Sequence, residues 1–189
     1  MHRQPLIHLL DHYETDYPEE LNLVAEYRDF VTGTVDCFER SQLSGHVTGS
    51  AWLLNVDATR VLLTHHKKLN RWLQPGGHAD GVTDVARVAM KEALEESGLN
   101  EIRFYVPQLL DVDIHQIPGR KDEPAHYHYD CRFLLQAVGS DQFTISDESN
   151  ELSWVLLDEV SNYTDEVSIA RMLDKSKSLV SIPFLIPNL

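Results

Sequence analysis

The segment from Asp84 to Ser97 constrains this chain more than any other, because its apolar and charged residues follow a helical period. An apolar stripe with i, i+3 and i+4 spacing continues directly into three glutamates, giving the order Val85, Val88, Ala89, Glu92, Glu95 and Glu96. The opposite face carries Asp84, Arg87 and Lys91. Thr83 is the predicted N-cap, and Gly98 is predicted to end the helix in the left-handed conformation. The segment therefore predicts a helix whose glutamates extend its buried face.

Three carboxylates on one face of a helix repel one another, which costs stability unless cations or protons lie between them. A glutamate cluster is usually a solvated helix surface, but the placement of Glu92, Glu95 and Glu96 on the apolar stripe disfavours that interpretation. A divalent ion is the natural occupant of such a site. Carboxylate oxygens suit Mg²⁺ or Mn²⁺, which keep open positions for water and for the phosphates of a substrate.

A glycine-rich loop, Leu73 to Gly81, directly precedes this helix. Its Gly76-Gly77 pair allows the main chain to approach an ion or a phosphate closely. A glycine pair alone usually marks only a turn. The loop gains functional meaning here from the carboxylate helix beside it.

The rest of the chain predicts a mixed β-sheet with helices on its faces, an α/β fold. Residues 5–32 have the spacing of a helical segment, with Pro18 as a first-turn residue and Gly33 as the end. Strands are predicted at 51–56 and 60–64, which form a hairpin, and at 103–106, 109–116, 127–138 and 152–157, with a last helix at 165–177. No repeat or linker divides the chain, so we expect one domain over residues 1–189.

Charge and hydropathy exclude several classes of partner. The formal net charge of -14 disfavours nucleic acid polymers and anionic membrane surfaces. The sequence contains neither an apolar window of about 18 residues nor a signal peptide, so we expect a cytoplasmic protein. Cys37 and Cys131 have no paired spacing and predict buried thiols. An anionic small-molecule partner would need bound cations, and the sequence is also compatible with a homodimer.

Residues Gly77 to Leu99 resemble the Nudix box, a loop-helix pattern written G-x5-E-x7-R-E-U-x-E-E-x-G-U with U apolar. Two positions depart from the pattern: Thr83 replaces its first glutamate and Lys91 replaces its arginine. The resemblance spans roughly residues 45–175. It implies a Nudix-type α/β/α sandwich with a mixed sheet, formed by a core at 45–178 and preceded by an N-terminal helical extension at 1–44.

The resemblance also implies the roles of individual residues. Glu95 and Glu96 would be metal ligands, Glu92 would bind the metal or activate the attacking water, and the Gly77 carbonyl would complete the metal site. The implied reaction is Mg²⁺- or Mn²⁺-dependent cleavage of a diphosphate linkage in a nucleoside diphosphate-X or similar phosphorylated small molecule. Asp80 or Asp84 could replace the carboxylate lost at Thr83. The alternative function is a Nudix-fold module that binds such a ligand with little or no hydrolysis.

Histidines flanking the box resemble a metal site in the isopentenyl-diphosphate isomerases, a second branch of this fold. His46 opens the first strand, His78 follows the glycine pair, and His126 and His128 stand where that branch has two acidic ligands. The i, i+2 spacing places His126 and His128 on one face of a strand, where they could share a transition metal with His78 and His46. The alternative is that His126 and His128 face solvent beside a loop and that His46 lies in a turn. Isomerase activity is not expected, because Gly76 occupies the position of the isomerase's essential cysteine.

Two further groups are interpreted as ordinary surface. The basic run His65-His66-Lys67-Lys68 could meet substrate phosphates, but a solvated loop is the more common structure for such a run. Glu148 and Glu151 resemble a late acidic position of some Nudix enzymes, and an exposed acidic loop explains both.

Overall fold

A seven-stranded mixed sheet organises the chain, and the computed structural model describes residues 2–67, 69–119, 124–144 and 149–181. Within these residues the α-helices are α1 (Gln4–Asp11), α2 (Pro18–Gly33), α3 (Val85–Ser97) and α4 (Val167–Val180). The strands are β1 (Gly45–Leu54), β2 (Arg60–His66), β3 (Arg71–Leu73), β4 (Gly76–His78), β5 (Ile102–Ile117), β6 (His126–Ala137) and β7 (Ser149–Leu156). Among the described residues, no helix combines the length and apolar character that a membrane crossing requires.

The order of the strands brings distant segments together. The main path is β3-β2-β1-β6-β5, with β4 pairing to β1 and β7 pairing to β2. Strands β1 and β6 are parallel, and the other pairs are antiparallel. Because β1 pairs with both β4 and β6, chain segments that come before and after the predicted loop-helix segment in the sequence lie beside it in the structure.

Alternating residues of β1 contribute to two cores, one on each face of the sheet. Val47, Ala51 and Leu53 pack with apolar residues of α1, α2 and α3. Trp52 and Leu54 point to the opposite face and pack with apolar residues of α4. Helices therefore cover both faces, which confirms the predicted α/β/α sandwich with N-terminal helices before it.

The helical segment expected at 5–32 is interrupted just before Pro18, which is a first-turn residue of α2 as expected. It forms two helices, because Pro18 begins α2 and the preceding Tyr17 is extended, with φ -99° and ψ 106°. Proline disfavours a helical conformation in the residue before it, so the chain turns between α1 and α2. Gly33 is the last residue of α2, as expected.

Several strand boundaries also differ from the expected ones. The two strands expected at 103–106 and 109–116 form the single strand β5, whose register shifts around Leu109. These irregularities let one long strand follow β6 despite a change of register. Strands β3 and β4 were not expected, because three-residue strands give almost no periodic signal and Gly76-Gly77 is typical of a turn.

The boundaries of α3 correct one predicted cap. Asp84, not Thr83, is the N-cap, and its carboxylate accepts a hydrogen bond from the Arg87 backbone N–H at 3.1 Å. An aspartate satisfies the free N–H groups at a helix start at least as well as a threonine. Gly98 ends the helix in the left-handed conformation, with φ 65°, as predicted.

A buried ionic network ties α2 and α4 to β5 on the face that α4 covers. The Asp111 carboxylate accepts hydrogen bonds from Arg171 at 2.7 and 2.9 Å and from Lys175 at 2.9 Å, and Lys175 also reaches Glu20 at 2.7 Å. Burial alone would raise the pKa of Asp111, but the Arg171 hydrogen bonds and the neighbouring cations outweigh it and hold that pKa below its ordinary value. The side chains of Asp111 and Glu20 are both fully buried, so their charges depend on these partners.

Candidate functional site

The carboxylate helix α3 lies directly against β1, and a glycine makes that approach possible. A Cβ atom added to Gly49 would lie 2.8 Å from the Val85 carbonyl oxygen and 3.1 Å from the Ala89 nitrogen. No side chain fits between the two backbones at this point. The close packing fixes the glutamates of α3 beside β4. This strand pairs with the edge of β1 that does not contact β6.

Glu96 and Glu92 meet the backbone of β4. The Glu96 carboxylate is buried and accepts a hydrogen bond from the Gly76 N–H at 2.8 Å. A Cβ atom added to Gly77 would lie 2.5 Å from the Glu92 carboxylate carbon and 2.5 Å from one of its oxygens. The main chain of the glycine pair and two helix carboxylates therefore form one compact site.

Glu95 lies at the rim of this site and corrects part of the prediction. Its side chain is 59% exposed, whereas that of Glu92 is 15% exposed, so the three glutamates do not share one buried face. The Lys91 ammonium group lies 3.0 Å from a carboxylate oxygen of Glu92 and 3.0 Å from one of Glu95. Hydrogen bonds to these two carboxylates raise the pKa of Lys91.

The site suits a hard divalent cation, although the three carboxylates are not closed around a single point. Among the described residues, three histidines form a group of convergent ligand atoms, whereas the three glutamates form no such group. The Glu96 carboxylate is instead held at Gly76 by its hydrogen bond. The Lys91 ammonium between two carboxylates marks the place where a cation is favourable.

Both aspartates that could replace the carboxylate missing at Thr83 have other partners. Asp80 forms a bidentate pair with Arg40, with N···O distances of 2.5 and 2.6 Å, and its backbone is left-handed at φ 47°. Asp84 caps α3. Both carboxylates are therefore engaged by partners other than Glu92, Glu95 and Glu96.

The predicted histidines converge on the sheet face opposite α3. In the β1/β6 pair His46 lies opposite His128, and in the β1/β4 pair His78 lies opposite Thr48, two residues along from His46. Ligand nitrogens of His46, His78 and His128 all lie within 4.8 Å of one another. The ring centroids of His46 and His126 are 4.9 Å apart, so His126 belongs to the same cluster.

These histidines are largely withdrawn from solvent, contrary to the alternative that they face it. His46 is 2% exposed and His126 is 4% exposed. The buried Nε2 of His128 has no hydrogen-bond partner among the described residues. Desolvation lowers the pKa of His78 to about 4 and that of His128 to about 2, and the nearby Arg40 guanidinium adds to the effect on His78.

His115 is a neighbour of the cluster that the sequence analysis missed. It lies opposite His128 in the β5/β6 pair, and its ring centroid is 5.3 Å from that of His128. Its Nδ1 is 3.0 Å from the Asp113 carboxylate, and Arg132 binds the same carboxylate at 3.1 Å. The only signal in the sequence was the alternation Asp113-Ile114-His115, which does not reveal the partner strand.

The remaining candidates do not join either group. The ring of His65 packs beside Trp72, with centroids 5.2 Å apart, and Lys68 lies outside the described residues. Glu151 is exposed on β7, as expected, and Glu148 lies outside the described residues. Cys37 and Cys131 are buried free thiols, which confirms their interpretation.

Comparisons with known proteins agree with this geometry. A sequence profile described as the NUDIX domain matches residues 46–175, more than half of the chain. A comparison with curated protein sequences gave no significant match.

Similar solved structures share the fold. The binary complex of a C. elegans Ap4A hydrolase has a TM-score of 0.61 and 16% identity, over 71% of this chain and 96% of that chain. A NUDIX family hydrolase from Clostridium perfringens has a TM-score of 0.54 and 26% identity, over 71% and 97%. A UDP-X diphosphatase has a TM-score of 0.53 and 15% identity, over 93% and 92%.

Proposed function

The chain belongs to the Nudix hydrolase family, and we propose that it is a metal-dependent enzyme that cleaves a diphosphate linkage in a nucleoside diphosphate-X or similar phosphorylated small molecule. One observation carries the proposal: the backbone of Gly77 lies directly against the Glu92 carboxylate, while the Gly76 N–H binds Glu96. A glycine-rich loop and a carboxylate helix are thereby joined in one site.

We assign the ligands of a Mg²⁺ or Mn²⁺ ion to Glu95, Glu96, Glu92 and the Gly77 carbonyl. All are oxygen donors, which these hard ions prefer. Glu95 is exposed and its long side chain can rotate, so it can turn from Lys91 toward an ion. The partial burial of Glu92 and Glu96 places the other two carboxylates where little rearrangement is needed.

Each residue then has a defined part in the chemistry. A bound ion supplies positive charge that offsets the charge of the phosphoryl oxygens and makes water a better nucleophile. Glu92, partly buried against Gly77, is the carboxylate we assign to accept the proton of the attacking water. The single positive charge of Lys91 offsets part of the negative charge of Glu92 and Glu95 before ions bind, which limits the repulsion within the helix.

The charge of the chain favours a small substrate. With a net charge of -14, the protein repels polyanions at long range, whereas a diphosphate can be recognised at short range through bound cations. Two of the similar structures are of an Ap4A hydrolase and of a UDP-X diphosphatase, and these two substrate classes enter the panel to be assayed.

The test is product release from nucleoside triphosphates, nucleotide sugars and dinucleoside polyphosphates with Mg²⁺ or Mn²⁺. Wild type is compared with Glu95→Gln and with the control Glu101→Gln, which changes an exposed glutamate outside α3. We expect metal-dependent turnover by wild type and by the control, and loss of at least about 100-fold in Glu95→Gln.

Thr83 is the observation that favours the second candidate, a Nudix-fold binding module, because a box carboxylate is missing there. A binding module would gain thermal stability from a panel compound without releasing product. That result for wild type, with both metals, would replace the hydrolase proposal with the binding one.

A further inference from the structure

We propose that His46, His78 and His128 bind one divalent transition-metal ion, of the class that includes Zn²⁺, at a site separate from the Mg²⁺ or Mn²⁺ site of the glutamates. The proposal rests on the convergence of imidazoles from three strands. It does not depend on hydrolysis, because no residue of α3 takes part.

The backbone registers alone bring these side chains together. His46 lies opposite His128 across the parallel β1/β6 pair, and His78 lies opposite Thr48 across the β1/β4 pair. Their ring centroids are 4.9 Å apart for His46 and His78, 5.1 Å for His46 and His128, and 4.9 Å for His78 and His128. One nitrogen from each ring lies within 4.8 Å of the other two, which leaves room for one ion between them.

Backbone carbonyls fix the orientation of two rings of the cluster. The Nδ1 of His126 is 2.9 Å from the Pro124 carbonyl oxygen, and the Nδ1 of His46 is 3.4 Å from that of Gln42. A carbonyl only accepts, so each Nδ1 carries a proton and each ring turns its Nε2 away from that carbonyl. Metal-binding histidines commonly use this arrangement.

The Nε2 of His128 gives the most direct sign of a missing ligand. It is buried and has no hydrogen-bond partner among the described residues. A buried polar atom of this kind is rare unless something else satisfies it. A metal ion bound to this nitrogen would supply the interaction.

The chemistry of the cluster fits a transition metal better than an anion. The three rings supply nitrogen ligands, from a buried His46 and from His78 and His128, which are partly buried. Neutral imidazole suits Zn²⁺, Co²⁺ and Ni²⁺, whereas Mg²⁺ prefers oxygen. Three histidines would leave a fourth position, beside which His126 lies, for His126 or water.

The experiment measures ion binding by metal-free, untagged protein in the absence of any phosphorylated compound. Binding of Zn²⁺ is measured by calorimetry. Binding of Co²⁺ is measured by its visible absorption, which is more intense when the coordination number is low. We compare wild type with His78→Asn and His128→Gln. The matched controls are His8→Gln, which changes an exposed histidine far from the cluster, and Glu95→Gln, which changes the proposed hydrolytic site.

We expect one Zn²⁺ per chain in wild type and in both controls, and at least 100-fold weaker binding in His78→Asn and His128→Gln. At free Zn²⁺ of about 100 times Kd, the folding equilibrium of wild type should shift about 100-fold toward the native state. Long-range ¹H–¹⁵N NMR of wild type should show one ring nitrogen shifting in each of the three histidines, and this readout needs no variant to fold.

Absence of stoichiometric binding by wild type would overturn the proposal, as would NMR shifts at other histidines. Binding lost in Glu95→Gln but kept in the histidine variants would assign the ion to the glutamates instead. Because substrate is absent throughout, a protein that fails to hydrolyse any panel compound could still confirm the histidine site, so the two proposals fail separately.

Discussion

Replacing Gly77 by alanine should disable the enzyme while leaving its fold nearly intact. The added Cβ would lie 2.5 Å from the Glu92 carboxylate carbon, whereas ordinary contacts of this kind are 3.4–4 Å. The carboxylate must therefore move by about 1 Å or more. Glu92 is the end of a flexible side chain, so it can rotate away at little cost in folding free energy.

The functional cost should be much larger than the folding cost. A misplacement of about 1 Å in a catalytic group lowers the rate about 100-fold, equivalent to about 2.7 kcal/mol of transition-state stabilisation. We expect kcat/KM of Gly77→Ala to fall by at least that factor on any panel compound that wild type hydrolyses. The free energy of unfolding in urea should change by less than about 1 kcal/mol.

Two glycine variants serve as controls. Gly33→Ala adds a Cβ that meets nothing within 4 Å, so it should keep wild-type activity and stability. Gly76→Ala would place its Cβ 2.4 Å from the Ser50 Cβ and 3.0 Å from the Ser50 Cα, so it should lose stability as well as activity. Wild-type kcat/KM in Gly77→Ala would refute the assigned contact between Gly77 and Glu92. A stability loss as large as that of Gly76→Ala would show that the strand, and not the carboxylate, had moved.

Three further predictions concern the fold. Arg171→Met removes the main partner of the buried Asp111 and should destabilise the protein by about 3–5 kcal/mol in urea unfolding; a change below about 1 kcal/mol would contradict the assigned network. The folded-state pKa of Asp111 lies below its ordinary 3.8, so its stabilisation is complete above that value and is lost as pH falls from 3.8 through the lower folded-state pKa. Urea unfolding from pH 6 to pH 3 should show the decline, and a flat profile would exclude it. Gly49→Ala places a Cβ against the backbone of α3 and should cost about 1–3 kcal/mol, measured by thermal unfolding, whereas unchanged stability would mean that β1 and α3 can separate freely.

Local signals account for the parts of the site that the sequence predicted correctly. The end of α3 at Gly98 follows from a glycine that adopts the left-handed conformation, and the apolar stripe of α3 follows from helical spacing. The i, i+2 spacing of His126 and His128 likewise fixed their common face, whatever their partner strand. These features depend on residues within a few positions of one another.

Other parts of the site depend on distant contacts, which local patterns do not predict. The convergence of His46 with His128 was expected only from the resemblance, because it requires the parallel β1/β6 pair and no residue pattern in either strand specifies its partner. Glu95 falls on the helical stripe, yet it is exposed, because β4 is only three residues long and covers the helix at Glu92 and Glu96. His115 enters the cluster only through the register of β5 against β6.

Strand β4 connects the two proposed metal sites through the alternation of its residues. Gly77 faces α3 and contacts Glu92, whereas His78 points to the opposite face and meets His46 and His128. The two sites therefore lie on opposite sides of one strand, separated by a single peptide bond. An ion at the histidines would hold β4 against β1 and β6, and the same restraint would fix the Gly77 backbone beside Glu92. Shifting β4 by one residue would exchange the two faces and remove both sites at once, so the register of this short strand matters more for function than its length suggests.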